Sequence, residues 1–253
     1  MEKWKIAAIA ALLLSFVGYG VFANSSANRA LVPDVANPTG GRPVAFSPPA
    51  PSQYAGMTFP DWTGVKQWMN APTPPSLNTL KGKPVMVEVF RIECQHCNEA
   101  APFIAKLHAR YASRGVEFVG IQSPADSTDP AYPENSWPQV QAWAKSNGYT
   151  WPVGFDPKRA WFKKSFGDKT WWPSMFLLDP AGKVVFFQSG HDDPKALQLA
   201  VQLERLAPGK GDPQARSSDV LKWVETNLQQ QPDSETEKSL QQGIASYLTP
   251  TKA

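Results

Sequence analysis

The sequence predicts an α/β domain with a central mixed sheet flanked by helices, and three observations predict it. The run "VMVEVF", Val85 to Phe90, is apolar except for Glu88 and has the character of a buried strand. A segment with Ala101, Ile104, Ala105, Leu107 and Tyr111 at helical spacing follows it, from Asn98 to Ala112. Further on, "SMFLLDPAGKVVFFQSG" reads as two strands around Asp179-Pro180-Ala181-Gly182.

The other elements fit the same frame. The N-terminus carries Lys3 and Lys5 and then runs from Ile6 to Ala23 without a charge. Such a segment sends the chain behind it across a membrane and leaves the lysines on the cytoplasmic side. Val21-Phe22-Ala23 suits signal peptidase, yet the run is nearly long enough to span a bilayer. Residues 1–23 are therefore expected to be a signal peptide or a membrane anchor, forming an N-terminal apolar helix. Residues 24–58 hold prolines at 33, 38, 43, 48, 49 and 51 with no apolar periodicity, the composition of a flexible linker.

The folded domain is expected over 59–207. It opens with "FPDWTGVKQWMN", and "LNTLKGKP" turns into the first apolar strand. "VEFVGIQ", Val116 to Gln122, is the next strand, and a Pro-, Asp- and Ser-rich loop runs from Ser123 to Asn135. A helix in "SWPQVQAWAKSNG", a strand in "WPVGF" and a helix around Arg159 to Phe166 lead to the hairpin. "PKALQLAVQLERL" closes the unit as an amphipathic helix. Residues 208–253 read as a polar helical tail, with helical pieces near Val220 to Leu228 and Ser239 to Leu248. A net charge of +3 with scattered lysines and arginines excludes nucleic acid as the expected partner.

The chain's two cysteines, Cys94 and Cys97, stand in "VEVFRIECQHCNEAAP", between a strand and a helix. A bridge across so short a loop restricts the unfolded chain little, so stability is a poor reason for the pair. At the first turn of a helix, unpaired N–H groups and the helix dipole favour an anion, the dipole by up to ~2 kcal/mol. Cys94 is thus the candidate nucleophile in thiol–disulfide exchange, and Cys97, one turn on and more buried, the candidate resolving thiol. A zinc or iron–sulfur site would want four ligands, and only His96, His108 and His191 stand beside the two cysteines as further His or Cys ligands. Haem attachment needs a histidine after the second cysteine, where Asn98 sits. No metal and no cofactor are expected.

"GKPVMVEVFRIECQHCNEAAPFIAKLHARYASRGVEFVGIQSP" resembles the active-site half of TlpA/ResA-like thioredoxin-fold proteins, and "WWPSMFLLDPAGKVVF" resembles their second half. The resemblance implies a thioredoxin-like fold and a thiol–disulfide oxidoreductase. It implies that Pro173 is cis and faces the cysteines, which makes Trp172 and Pro173 candidate substrate-binding residues. It also implies that Glu88, six residues before Cys94, carries the proton of the second thiol. A carboxylate inside "VMVEVF" is costly to bury unless it points to solvent or serves the thiols. The sequence departs from the family at Arg91-Ile92-Glu93, which replaces a tryptophan-rich approach, at Gln95-His96 between the cysteines, and at Ala100 in place of an acid. A histidine like His96, just before the second cysteine, also occurs in oxidising thioredoxin-fold enzymes, where it stabilises the thiolate.

The expectation is an exported, periplasmic thiol–disulfide oxidoreductase, acting as a reductase on cysteine-containing exported proteins and re-reduced by an upstream membrane electron donor. The alternatives are a disulfide-forming oxidant and a copper-binding or redox-regulated binding module.

Overall fold

The computed structural model describes residues 46–124, 135–167, 172–190, 193–228 and 234–250. The leader 1–23, the linker up to residue 45 and His191 lie outside the described residues.

Among these residues β1 (Gln67–Met69), β2 (Val85–Phe90), β3 (Glu117–Gln122), β4 (Val153–Phe155), β5 (Ser174–Leu178) and β6 (Val184–Ser189) form one sheet, ordered β1-β4-β3-β2-β5-β6. β2, β3 and β4 are parallel, while β1 at one edge and the β5–β6 pair at the other make antiparallel contacts. Parallel neighbours need long crossovers. Helix α2 (Gln95–Tyr111) supplies the one between β2 and β3, and α3 (Trp137–Ser146) lies on the one between β3 and β4. β5 and β6 meet through the expected turn, in which Gly182 at φ 79° donates its N–H to Asp179 O at 2.9 Å. The helices α4 (Ala160–Phe166) and α5 (Asp193–Leu206) complete the expected order, while β1 and the short helix α1 (Leu77–Leu80), capped by Ser76, are additions to it in a stretch that the sequence reads as an aromatic segment and a turn. The mixed sheet read from the sequence is present.

All six residues of β2 are buried, so its alternation is hidden in hydropathy but visible in packing. Val85, Val87 and Val89 join one core layer with Phe59, Trp62, Phe162 and Phe176. Met86 and Phe90 join the other, with Cys97, Ile104 and Leu107 of α2. Side chains alternate with period two along a strand, so Glu88 lies on the Met86 and Phe90 side, beneath α2. That parity brings a carboxylate to the cysteine helix.

Two boundaries differ from the sequence reading. The chain packs from Phe46, well before residue 59. Phe46 is buried, the Tyr54 ring stands 4.7 Å from Phe187, and Gly56 N–H bonds Val184 O at 2.8 Å. Aromatic side chains within the proline-rich stretch gain more from burial than extended chain gains from solvation. At the other end, α6 (Pro213–Leu228) and α7 (Ser234–Leu248) bury Val220, Leu221, Val224, Leu240, Ile244 and Leu248 in the core layer that holds α2. Their apolar residues recur every three or four positions, which is enough for one buried stripe in an otherwise polar helix. Among the described residues no helix is long and apolar enough to cross a membrane.

Candidate active site

β2 ends at Phe90, and a short turn follows in which Cys94 N–H bonds Arg91 O at 3.3 Å. Cys94 then takes the N-cap position with φ −77° and ψ 120°, so α2 starts at Gln95. Its carbonyl accepts the N–H groups of Cys97 and Asn98, each at 3.1 Å. The Asn98 side chain ties the turn to the helix by donating to Ile92 O at 3.0 Å and Cys94 O at 2.9 Å. The strand's end and the helix's start therefore fix Cys94 at the edge of the fold.

Both cysteines are free thiols, Cys94 partly exposed and Cys97 buried. The Cys97 thiol, by donating a hydrogen bond, is the largest cause that pulls the Cys94 pKa down to about 6. Burial opposes this, and the N–H groups of Cys97 and His96 and the Arg91 charge add to it. Cys97 moves the other way, well above the usual thiol range, through burial first and then through its bond to Cys94 and the charges of Cys94 and Glu88. One thiol is poised to be a thiolate and its neighbour to hold its proton.

Glu88 is 1% exposed, and burial lifts its pKa to about 8 against a hydrogen bond from Tyr149 that lowers it. The Tyr149 hydroxyl donates to Oε2 at 2.8 Å, while Oε1 is buried with no hydrogen-bond partner. A carboxyl that titrates near neutrality inside the core can hold or release a proton.

The Trp172–Pro173 bond is cis. Cys94 Sγ donates toward Trp172 O at 3.7 Å, so this peptide lies against the exposed thiol. The guanidinium groups of Arg91 and Arg159 lie over the Trp172 ring, 4.9 and 4.8 Å from its centroid. Pro173 O accepts from Gly190 N–H at 2.8 Å. His96 is placed differently from the expectation of a charge beside the thiolate. Its ring is exposed and its Nδ1 lies 3.2 Å from Glu99 Oε2, while its backbone N–H serves Cys94.

The structure thus brings together Glu88, Cys94, Cys97, Trp172 and Pro173, with the His96 ring at the surface. Tyr149, Asn98, Arg91 and Arg159 were missed as site residues. Tyr149 stands 61 positions from Glu88 in the chain, and no local spacing signals such a pair. Among the described residues no group of three or more His, Cys, Asp or Glu side chains could hold a metal ion.

The Redoxin family model matches residues 54–201, more than half of the chain. The chain belongs to the Redoxin family. This redoxin is similar to thiol-disulfide oxidoreductase ResA of Bacillus anthracis, 30% identical over 132 residues that cover 52% of this chain and 68% of ResA. It is also similar to protein DipZ of Mycobacterium tuberculosis, 27% identical over 165 residues, 64% of this chain but 23% of DipZ. The redoxin therefore spans less than a quarter of DipZ. Among solved structures, a putative protein disulfide isomerase from Bacteroides thetaiotaomicron matches with a TM-score of 0.51 at 24% identity, over 61% of this chain and 91% of that one. The fold is thioredoxin-like and the matched domain is an oxidoreductase domain of that type, as the resemblance implied.

Proposed function

We propose that this chain is an exported thiol–disulfide oxidoreductase that reduces disulfides in other extracytoplasmic proteins. The observation that carries the reading is the opposed pair at the start of α2: Cys94 accessible with its pKa near 6, Cys97 buried with its pKa raised.

The chemistry follows in two exchanges. The Cys94 thiolate attacks one sulfur of a substrate disulfide, a new S–S bond forms, and the other substrate sulfur leaves as a thiolate. Cys97 then gives its proton to the Glu88 carboxylate and attacks Cys94 Sγ, and the first substrate sulfur leaves with the electron pair. Two electrons pass to the substrate and a Cys94–Cys97 disulfide remains, which an upstream membrane dithiol donor reduces again. Trp172 and Pro173, against Cys94, are the surface on which an incoming polypeptide lies. The charge-free run Ile6 to Ala23 after two lysines supports export to the periplasm, whether it stays as an anchor or is cleaved. The reductive direction is part of the proposal, and the equilibration described below tests it.

A disulfide-forming oxidant is the second reading. A stabilised Cys94 thiolate favours the reduced form and so makes the disulfide a stronger oxidant, about 30 mV for each 1.4 kcal/mol. Equilibration with a glutathione buffer separates the two: a potential near that of thioredoxin supports the reductase, one near the periplasmic oxidants the alternative. The parent reading is tested with Cys97→Ala, which should accumulate mixed disulfides on Cys94 when mixed with oxidised protein substrates. A variant that traps nothing, in a parent that leaves insulin disulfides intact, would refute it.

A further inference from the structure

We infer that Tyr149 is a positioning residue of the redox site: its hydroxyl occupies Glu88 Oε2 and so leaves Oε1 as the oxygen that exchanges a proton with Cys97. The inference rests on the proposed role of Glu88 and adds what selects the working oxygen.

Three features of the placement support it. First, the two residues come from different elements, Glu88 from the centre of β2 and Tyr149 from the connection between α3 and β4. Both are buried, and the 2.8 Å bond between them joins hydroxyl to carboxyl with Oε1 left unpartnered. A buried polar atom without a partner is costly, and such atoms are retained where a function uses them. Second, Tyr149 is held from every side. Its ring lies 4.2 Å from Trp151, 5.2 Å from Trp143 and 5.7 Å from Phe90, and its carbonyl accepts from Asn70 Nδ2 at 2.7 Å. The hydroxyl has little freedom to leave Oε2. Third, burial, together with Glu88 and Cys97, raises the Tyr149 pKa well above its ordinary value. Tyr149 therefore keeps its own proton through the cycle and acts as a fixed donor, not as a relay.

The groups that face Glu88 are few. Tyr149 reaches it from the α3–β4 connection, and Cys97, with Cys94 beyond it, from α2. The strand neighbours opposite are Gly120 on β3 and Met175 on β5, which carry no titratable group. His108 of α2 stands one ring further away, 4.7 Å from Trp151. In resolution the Cys97 proton passes to Oε1, the Cys97 thiolate bonds Cys94 Sγ, and the substrate sulfur leaves with the electron pair.

The test is the pH profile of mixed-disulfide resolution in Tyr149→Phe, which keeps the ring and removes the hydroxyl. A hydrogen bond to the charged form favours it, so the limb set by Glu88 should move up by about one pH unit, and the rate below the limb should fall roughly tenfold. The Cys94 alkylation profile should stay within a few tenths of a unit of the parent's. Glu88→Gln should abolish the limb, and the double variant should match Glu88→Gln alone. If Glu88→Gln keeps the limb, the proposed role of Glu88 fails and the inference falls with it. If Glu88→Gln loses the limb while Tyr149→Phe keeps the parental one, the inference alone is overturned. Should Tyr149→Phe not fold, the infrared carbonyl band that Glu88→Gln removes from the intact protein decides. A band at the frequency of a hydrogen-bonded acid supports the inference, and one at that of a free acid overturns it.

Discussion

At Cys94 the neighbouring thiol is the largest single cause of the lowered pKa, ahead of either N–H group of the helix start. The sequence points to the dipole and the first-turn N–H groups, and those of His96 and Cys97 do contribute, yet the hydrogen bond from Cys97 is the largest lowering cause. Removing that donor with Cys97→Ala should therefore raise the Cys94 alkylation midpoint from about 6 by a unit or more. Cys97→Ser keeps a donor and should raise it less, and iodoacetamide labelling across pH 4–10 followed by mass spectrometry reads both. Equal midpoints for the two variants would return the cause to the helix start. Glu88 carries the opposite linkage, because its folded pKa of about 8 lies above the ordinary 4.5. Below pH 4.5 folded and unfolded chains both hold the proton. Between 4.5 and 8 the unfolded chain releases it first, so stability falls as pH rises, and above 8 the full penalty stands. Glu88→Gln should thus stabilise the reduced protein at pH 9 relative to its effect at pH 5 by on the order of 4 kcal/mol, read from urea unfolding at the two pH values. A difference that does not change with pH would show that Glu88 is not buried as described.

At the scale of single elements, the parts legible in the sequence are those whose signal is local. β2, the β5–β6 hairpin and α5 follow from apolar runs, a turn and a helical stripe that each sit within one short segment. Apolar spacing marks α2 only from Asn98, because cysteine is not among the usual capping residues, and it is the cysteine pair between strand and helix that places the first turn at Cys94, the N-cap of a helix that begins at Gln95. Tyr149 with Glu88, and Arg91 and Arg159 with Trp172, meet only through the sheet. The close approach at β4 is equally hidden. A Cβ on Gly154 would lie 2.7 Å from Val65 Cγ1 and 2.9 Å from Trp68 Cη2, since the β1 side of the sheet folds its bulk over this strand. Gly154→Ala should overpack the site and cost about 1–3 kcal/mol. A lowered urea midpoint with an unchanged slope would show it, and a parental midpoint would show that Val65 and Trp68 move aside freely.

For the whole molecule the decisive contact is between the redox helix and α6, which in turn packs on α7. α2 presents Phe103 to Trp223 at 5.7 Å and Arg110 to Asp219 at 2.5 Å, so α6 covers the outer side of the helix whose first turn holds Cys97. Glu204 of α5 ties the same corner. It is fully buried and accepts from Arg114 at 2.7 Å, from Tyr111 at 3.2 Å and from Gly209 N–H at 2.6 Å. Deleting residues 209–253 would remove Gly209 N–H from this network and expose the faces that Val220, Leu221, Val224, Leu240, Ile244 and Leu248 now cover. At about 1.5–3 kcal/mol for each buried aliphatic side chain, the loss approaches the roughly 5–15 kcal/mol that hold a domain folded. The truncated chain should therefore be insoluble or melt without cooperativity, rather than survive as a smaller active domain. Circular dichroism melting beside Cys94 alkylation decides: a soluble fragment with a cooperative transition and a midpoint still near 6 would mean that these helices only rest on the fold. Failure to fold would make them part of the unit that presents the thiols. A separate role for this segment would then have to be sought by substituting its exposed residues in the intact chain, because deletion removes the site's support along with the segment.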